Sequence, residues 1–98
     1  HEKNGLLFHI LRNELRGRYL IFCNTKAAAE RLESLLEANG IGAAAITGDL
    51  PQRKRQRVLE RFKGGKLPVL VATDVASRGL HIDGVTHVIN YDFPQDPE

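Results

Sequence analysis

The chain has little of the chemistry that would place it in an oxidising compartment or in a membrane. Of its 98 residues only Cys23 is a cysteine, and methionine and tryptophan are absent. A single cysteine excludes a disulfide within the chain, so we expect a reducing, cytoplasmic setting with Cys23 as a small core residue. No apolar run approaches the roughly 18 residues of a membrane helix, so no membrane partner is expected. Because methionine is missing and the chain starts at His1, we expect a piece of a longer protein.

Several familiar site motifs are missing as well. The sequence holds neither the phosphate loop G-x-x-x-x-G-K-S/T nor the dinucleotide fingerprint G-x-G-x-x-G, and it has no paired-carboxylate metal site. None of its four histidines shows metal-ligand spacing, and we interpret His9 and His87 as surface or partly buried structural residues. The missing glycine fingerprint disfavours a Rossmann-like cofactor binder, and no metal site is predicted.

The composition is that of one ordinary globular domain. Hydrophobic residues make up 42% of the chain and charged residues 27%, as in most such domains. A chain of this length buries about two-thirds of its unfolded surface. The formal net charge of +2 is too small to predict a polyanionic partner by itself.

The hydrophobic pattern predicts an α/β domain. Strand-like runs lie at 19–23, 43–47, 69–72 and 86–91, and helical spacing appears at roughly 4–15, 26–39 and 51–63. Thr25 and Gly40 are placed to cap the helix at 26–39. Pro51 suits the first position of the next helix, and Gly64-Gly65 stop it. The alternation of strands and helices implies right-handed crossovers and a mostly parallel sheet flanked by helices.

Polar residues follow three of the predicted strands. They are Asn24 and Thr25 after the first strand, Gly48 and Asp49 after the second, and Thr73, Asp74, Ser77, Arg78 and Gly79 after the third. Open α/β sheets bind ligands at the carboxyl ends of their strands, and a helix N-terminus there favours a phosphate. Taken singly, Thr25 is equally a helix cap and Gly48 a simple turn residue. Three such strand ends together favour a ligand site.

The helix that follows the second strand is strongly basic. It carries Arg53, Lys54, Arg55, Arg57, Arg61 and Lys63, with Gln52 at its start. Such a run is usually a solvated face, and we interpret Arg57, Arg61 and Lys63 in that way. Gln52 and Arg55 differ because they share the first turn, near the strand ends, where a guanidinium can pair bidentately with a phosphate.

These motifs, in this order, resemble the second RecA-like domain of DEAD-box RNA helicases. The run L-I-F-C-N-T at 20–25 is similar to motif IV of the family. The run T-G-D at 47–49, with Q-x-x-R at 52–55, is similar to its RNA-contacting turn and Q-x-x-R element. The run A-T-D-V-A-S-R-G at 72–79 matches motif V and is the most specific part, and V-I-N-Y-D-F-P at 88–94 resembles the strand that follows. The T-D-V-A-x-R-G version favours the DEAD-box branch over DEAH and RecQ-type helicases.

The resemblance implies a truncated RecA-like three-layer domain from an ATP-dependent RNA helicase. In the parent, ATP and Mg²⁺ would drive clamping of single-stranded RNA and unwinding of short duplexes. The RNA-binding residues that it implies are Asn24, Thr25, Gly48, Asp49, Gln52, Arg55 and Thr73. The residues implied to face the nucleotide and the first RecA-like domain are Asp74, Arg78, Gly79 and His81. The chain lacks the phosphate loop and ends before the arginines of motif VI, so no catalytic residue is expected and the isolated fragment should be inactive.

One position departs from the family pattern. His81 stands where the family usually has Asp, close to the ribose of ATP. The resulting run R-G-L-H-I at 78–82 resembles the DEAD-box helicase of the bacterial RNA degradosome, which implies a bacterial source and a degradosome endonuclease as a partner. The alternative function is a non-catalytic RNA- or protein-docking module of an RNA-processing complex.

Overall fold

Strands and helices alternate along the chain in the computed structural model, which describes residues 17–73 and 85–91. In chain order the elements are β1 (Tyr19–Cys23), α1 (Lys26–Ala38), β2 (Ala43–Ile46), α2 (Gln52–Lys63), β3 (Val69–Thr73) and β4 (His87–Asn90). The helix predicted at 4–15 lies outside the described residues. Neither described helix is long and apolar enough to cross a membrane.

The four described strands form one sheet in the order β2-β3-β1-β4, and every neighbouring pair is parallel. Helix α1 carries the chain from β1 to β2 at one side of the sheet, and α2 returns it to β3 between them. The chain then passes to β4 at the opposite side. All five residues of β3 are buried, as expected for a strand with neighbours on both sides and a covered sheet. The predicted mostly parallel α/β fold is therefore confirmed.

The two helices cover opposite faces of this sheet, because successive strand residues point to alternate sides. On the α1 face, Ala28, Ala29, Leu32 and Leu36 pack with Tyr19, Ile21, Cys23, Ala43, Val69, Val71 and Tyr91. On the α2 face, Phe62 packs with Leu20, Ala44, Ile46, Leu67, Leu70 and Ala72, and half-buried Val58 and Leu59 join them. The result is a helix–sheet–helix sandwich, and the prediction of Cys23 as a core residue is confirmed.

Helix α1 begins and ends with local hydrogen bonds that its sequence encodes. The Oγ1 of Thr25 accepts from the amide of Ala28 at 3.1 Å, so Thr25 is the predicted N-cap. At the other end Gly40 has φ of 77°, its amide donates to Glu37, and the amide of Ile41 donates to Leu36. This pair of bonds is the Schellman arrangement, in which glycine adopts the left-handed conformation without steric cost.

Helix α2 differs from its prediction at its start. Pro51 is the N-cap with extended backbone rather than the first helical residue, and no side chain caps the helix there. Its end resembles that of α1, since Gly65 has φ of 80° and the amide of Lys66 donates to the carbonyl of Arg61. The guanidinium of Arg18 donates to the carbonyl of Lys63 and lies 5.7 Å from the centre of the Phe62 ring.

The bounds of three strands also differ from prediction. Strand β2 ends at Ile46 and β4 covers only His87–Asn90, each shorter than predicted. Strand β3 continues through Thr73, which had been assigned to the turn after it. Pairing with the end of β1 explains this extension, because Thr73 lies opposite Cys23 in the register.

A side-chain hydrogen bond supports edge strand β2, and a ring stack joins β4 to β1. The Glu33 carboxylate of α1 accepts from the amide of Ala45 at 3.0 Å, on edge strand β2, where that donor would otherwise lack a strand partner. Near the start of the sheet, the His87 ring stacks on Tyr19 with centroids 4.6 Å apart. His87 is half-buried, as its structural interpretation predicts.

Candidate nucleic-acid interface

The carboxyl ends of the parallel strands lie level at one side of the sheet. In the register, Cys23 at the end of β1 lies opposite Thr73 at the end of β3, and Ile46 at the end of β2 lies opposite Ala72. The residues that follow these strands therefore meet at one edge. We call residues 24–26, 47–50 and 73 the carboxyl edge.

The loop after β1 contributes two exposed polar residues, Asn24 and Thr25. Capping uses a lone pair of the Thr25 hydroxyl, which accepts from the Ala28 amide. A hydroxyl carries one donor and two acceptor positions, so its proton can still be donated to an anion. The cap interpretation of Thr25 is confirmed, and it is compatible with phosphate binding rather than an alternative to it.

The chain after β2 forms a tight turn that a hydrogen bond from the amide of Leu50 to the carbonyl of Thr47 closes at 3.1 Å. The Thr47 hydroxyl donates to Oδ1 of Asp49 at 2.6 Å, which reinforces the turn. Gly48 is exposed at its tip, and its φ isn't in the left-handed region, which among the described glycines only Gly40 and Gly65 adopt. The turn conformation therefore doesn't itself require glycine at Gly48.

An ion pair joins these two loops across the sheet. The Lys26 ammonium, in the first residue of α1, donates to Oδ2 of Asp49 at 2.5 Å. Hydrogen bonding to Asp49 raises the pKa of Lys26, and hydrogen bonds from Lys26 and then Thr47 lower the pKa of Asp49. Since β3 lies between β1 and β2, this pair bridges the loops on either side of the end of β3.

Thr73 occupies the middle of the carboxyl edge. It is only 6% exposed and belongs to β3 itself, where it pairs with Cys23 at the end of β1.

The N-terminal turn of α2 follows the Thr47–Leu50 turn directly and so begins at the same edge. Arg55 is half-buried, whereas Gln52 is exposed. The other basic residues of the helix, Arg53, Lys54, Arg57, Arg61 and Lys63, are all exposed. Arg55 is thus less exposed than Arg57, Arg61 and Lys63, whereas Gln52, which the sequence groups with Arg55, is as exposed as those three.

The residues predicted to face the nucleotide, Asp74, Arg78, Gly79 and His81, lie outside the described residues, as does Ser77. Within the described residues, no group of three His, Cys, Asp or Glu side chains could hold a metal ion.

Sequence reasoning missed one residue of this edge and one contact within it. Lys26 was interpreted only as the start of a helix, and Asp49 was assigned to RNA without its ionic partner. The two are 23 positions apart, and no spacing rule connects them. The sequence does contain one indication of the contact: Lys26 and Asp49 each follow the polar end of a strand, and both strands are predicted to belong to one parallel sheet.

The fold and its polar carboxyl edge define a RecA-like α/β domain, and comparison with known proteins specifies the family. Residues 2–98 match the helicase conserved C-terminal domain family, so the chain belongs to that family. It is 48% identical over 97 residues to the ATP-dependent RNA helicase RhlB of Pseudomonas aeruginosa and 53% identical to that of Shewanella sediminis. These alignments cover 99% of this chain but 24% and 22% of the two relatives, so the chain spans about a quarter of their length.

A solved structure agrees with this assignment. The Escherichia coli DEAD-box protein SrmB, bound to regulator of ribonuclease activity A, superposes with a TM-score of 0.86 at 36% identity. That match covers 95% of this chain and 55% of the SrmB chain. The resemblance to the second RecA-like domain of DEAD-box helicases is therefore confirmed, and the parent family is that of ATP-dependent RNA helicases.

Proposed function

We propose that the carboxyl edge of this chain holds the phosphates of single-stranded RNA within an ATP-dependent RNA helicase. The observation that carries the proposal is the level register of the strand ends, which brings Thr25, Gly48 and Thr73 to one side of the sheet. The start of α2, with Arg55, follows at the same side.

The donors available at this edge suit a phosphate backbone. Thr25 can donate its hydroxyl proton while its oxygen caps α1, and the exposed tip at Gly48 has no side chain to keep a ligand away from its backbone. Arg55 adds a guanidinium, which forms strong charge-assisted bonds with phosphate oxygens. Contacts of this kind hold RNA without reading its sequence.

The distribution of charge supports the same partner. Helix α2 contains six basic residues and one acidic residue, although the whole chain has a formal net charge of only +2. The positive charge is thus concentrated on the element that begins at the carboxyl edge, where it would attract RNA.

The wider helicase function is proposed from the family. Asp74, Arg78, Gly79 and His81 would face ATP and the first RecA-like domain, and Gln52, Asn24 and Asp49 would border the RNA. ATP with Mg²⁺ would supply the phosphoryl-transfer chemistry in the parent, which would clamp RNA, unwind short duplexes and act in the cytoplasm. A degradosome endonuclease stays a predicted partner, and the isolated chain is expected to show no RNA-stimulated release of phosphate from ATP.

The test compares three arginines of one helix in the full-length helicase. Arg55→Ala should weaken single-stranded RNA binding about tenfold, because one charge-assisted contact is lost, and should lower the salt slope by about 0.7. Arg57→Ala and Arg61→Ala are the matched controls, since each removes the same charge from an exposed position. Fluorescence anisotropy titrations across salt concentrations give both quantities. Equal losses in all three variants would indicate a diffuse basic face and contradict the proposed site.

A further inference from the structure

We infer that Asp49 is a positioning residue for RNA: its bonds to Lys26 and Thr47 hold the two phosphate-binding loops in register across the end of β3. This inference rests on the proposed function, because it concerns how the same edge reaches its binding geometry. Nothing in the sequence motifs assigns such a role to Lys26.

The geometry provides a continuous chain of contacts between the loops. Thr47, directly after β2, donates to one oxygen of Asp49 at 2.6 Å, and Lys26 at the start of α1 donates to the other at 2.5 Å. One carboxylate therefore fixes both its own turn and the distance to the neighbouring loop. Gly48 and Thr25, the donors proposed for phosphates, immediately precede Asp49 and Lys26 in the chain.

The charge of Asp49 makes a direct phosphate contact the wrong explanation for it. A carboxylate beside a phosphate is repelled, and like charges at a binding surface reduce affinity. On charge alone, removal of Asp49 should strengthen RNA binding. The ion pair neutralises that carboxylate and leaves its oxygens acting on the protein instead of the ligand.

Fold stability is also an insufficient explanation for the pair. The side chains of Lys26 and Asp49 are 53% and 60% exposed, and exposed ion pairs contribute little to the free energy of unfolding. A weak constraint on the fold can still matter for binding, because a loop held in its bound arrangement has less freedom to lose when a ligand orders it. The effect of the pair should therefore appear in RNA affinity.

The experiment measures binding of a fluorescein-labelled single-stranded RNA to the full-length helicase and to its variants. We expect Asp49→Ala to weaken binding about fivefold as the loops lose their preorganisation, although the change removes a negative charge. Asp49→Asn should weaken it less, about twofold, because a neutral amide oxygen keeps a bond of about half the strength. The midpoint of thermal unfolding should fall only slightly in both variants, because an exposed ion pair contributes little to stability.

Two further variants separate position from charge. Glu37→Ala removes an exposed carboxylate from the far end of α1, and it should leave RNA affinity unchanged. The exchanged pair, Lys26→Asp with Asp49→Lys, keeps the net charge and the ionic bridge but loses the bond from Thr47, because an ammonium accepts no hydrogen bond, so it should recover part of the affinity that Asp49→Ala loses.

The outcomes distinguish this inference from the function on which it rests. If Arg55→Ala weakens RNA binding while Asp49→Ala binds as tightly as the wild type or more tightly, the positioning role is overturned and the proposed function stands. A folded exchanged pair that binds RNA no more tightly than Asp49→Ala overturns it as well, because the ionic bridge would then contribute nothing to RNA binding. If neither Arg55→Ala nor Asp49→Ala changes RNA affinity, the proposed RNA site itself is wrong.

Discussion

The two helices of this domain are attached to the sheet in different ways. Helix α1 buries four residues and has a side-chain cap at its start, whereas α2 buries only Phe62 fully and has no side-chain cap. The difference follows from composition, because α1 consists largely of alanine and leucine, while half of the α2 residues are basic. Helix α1 therefore contributes more buried contacts to the fold, whereas α2 presents basic residues and is held mainly by Phe62.

The largest expected effect is on stability, and it tests whether Phe62 alone anchors α2. Phe62→Ala should lower the free energy of unfolding by about 3–5 kcal/mol, because the ring is fully buried and no other α2 residue is. Amide hydrogen exchange should accelerate mainly in α2, while α1 keeps its protection. Leu32→Ala, at a fully buried position in α1, is the matched comparison. If Phe62→Ala and Leu32→Ala each accelerate amide exchange equally in α1 and α2, Phe62 does not anchor α2 locally. The contrast between the two helices would then be contradicted.

A smaller effect is expected from the start of each helix. Thr25→Ala should cost about 1 kcal/mol of stability, because the Ala28 amide loses its acceptor. Thr25→Ser keeps a capping hydroxyl and should cost a few tenths of that, as measured by urea unfolding. Removal of the α2 cap residue, Pro51→Ala, breaks no side-chain hydrogen bond and should change stability less than Thr25→Ala. The reverse order would contradict the assignment of α1 as the better capped helix.

The smallest effect concerns the link between the two helix starts. Because the pKa of Asp49 is lowered below 3.8 by Lys26 and Thr47, the pair contributes above that pH and loses its contribution as pH falls through the lowered pKa. Unfolding midpoints of the wild type and Asp49→Asn should therefore converge on acidification from about pH 6 to pH 3. In a Lys26→Met background the difference between Asp and Asn should be smaller at neutral pH. If the difference in unfolding midpoint between the wild type and Asp49→Asn widens in acid, the predicted direction of the pH dependence is wrong.

The carboxyl edge could be predicted in part from the sequence. Thr25, Gly48 and Arg55 stand where polar strand ends and the first turn of a basic helix place them, and the parallel sheet brings those strand ends to one side. Thr73 was misplaced in a turn because its hydroxyl suggested a loop, while the register with Cys23 keeps it in β3. The Lys26–Asp49 pair was not predicted, since 23 residues separate its members and no spacing rule joins them.

The sequence alone determined the local structure of this protein: the class of its elements, the cap at Thr25, and the glycine ends at Gly40 and Gly65. The cap and the glycine ends depend on hydrogen bonds between residues no more than five positions apart, and the class of each element follows from local hydrophobic periodicity, so a short window contains the cause. Only the tertiary structure decided the strand order β2-β3-β1-β4, the alignment of the carboxyl ends, and the bridge from Lys26 to Asp49. Hydrophobic periodicity states which face of a strand is buried but not which strand lies beside it, because several orders bury the same faces.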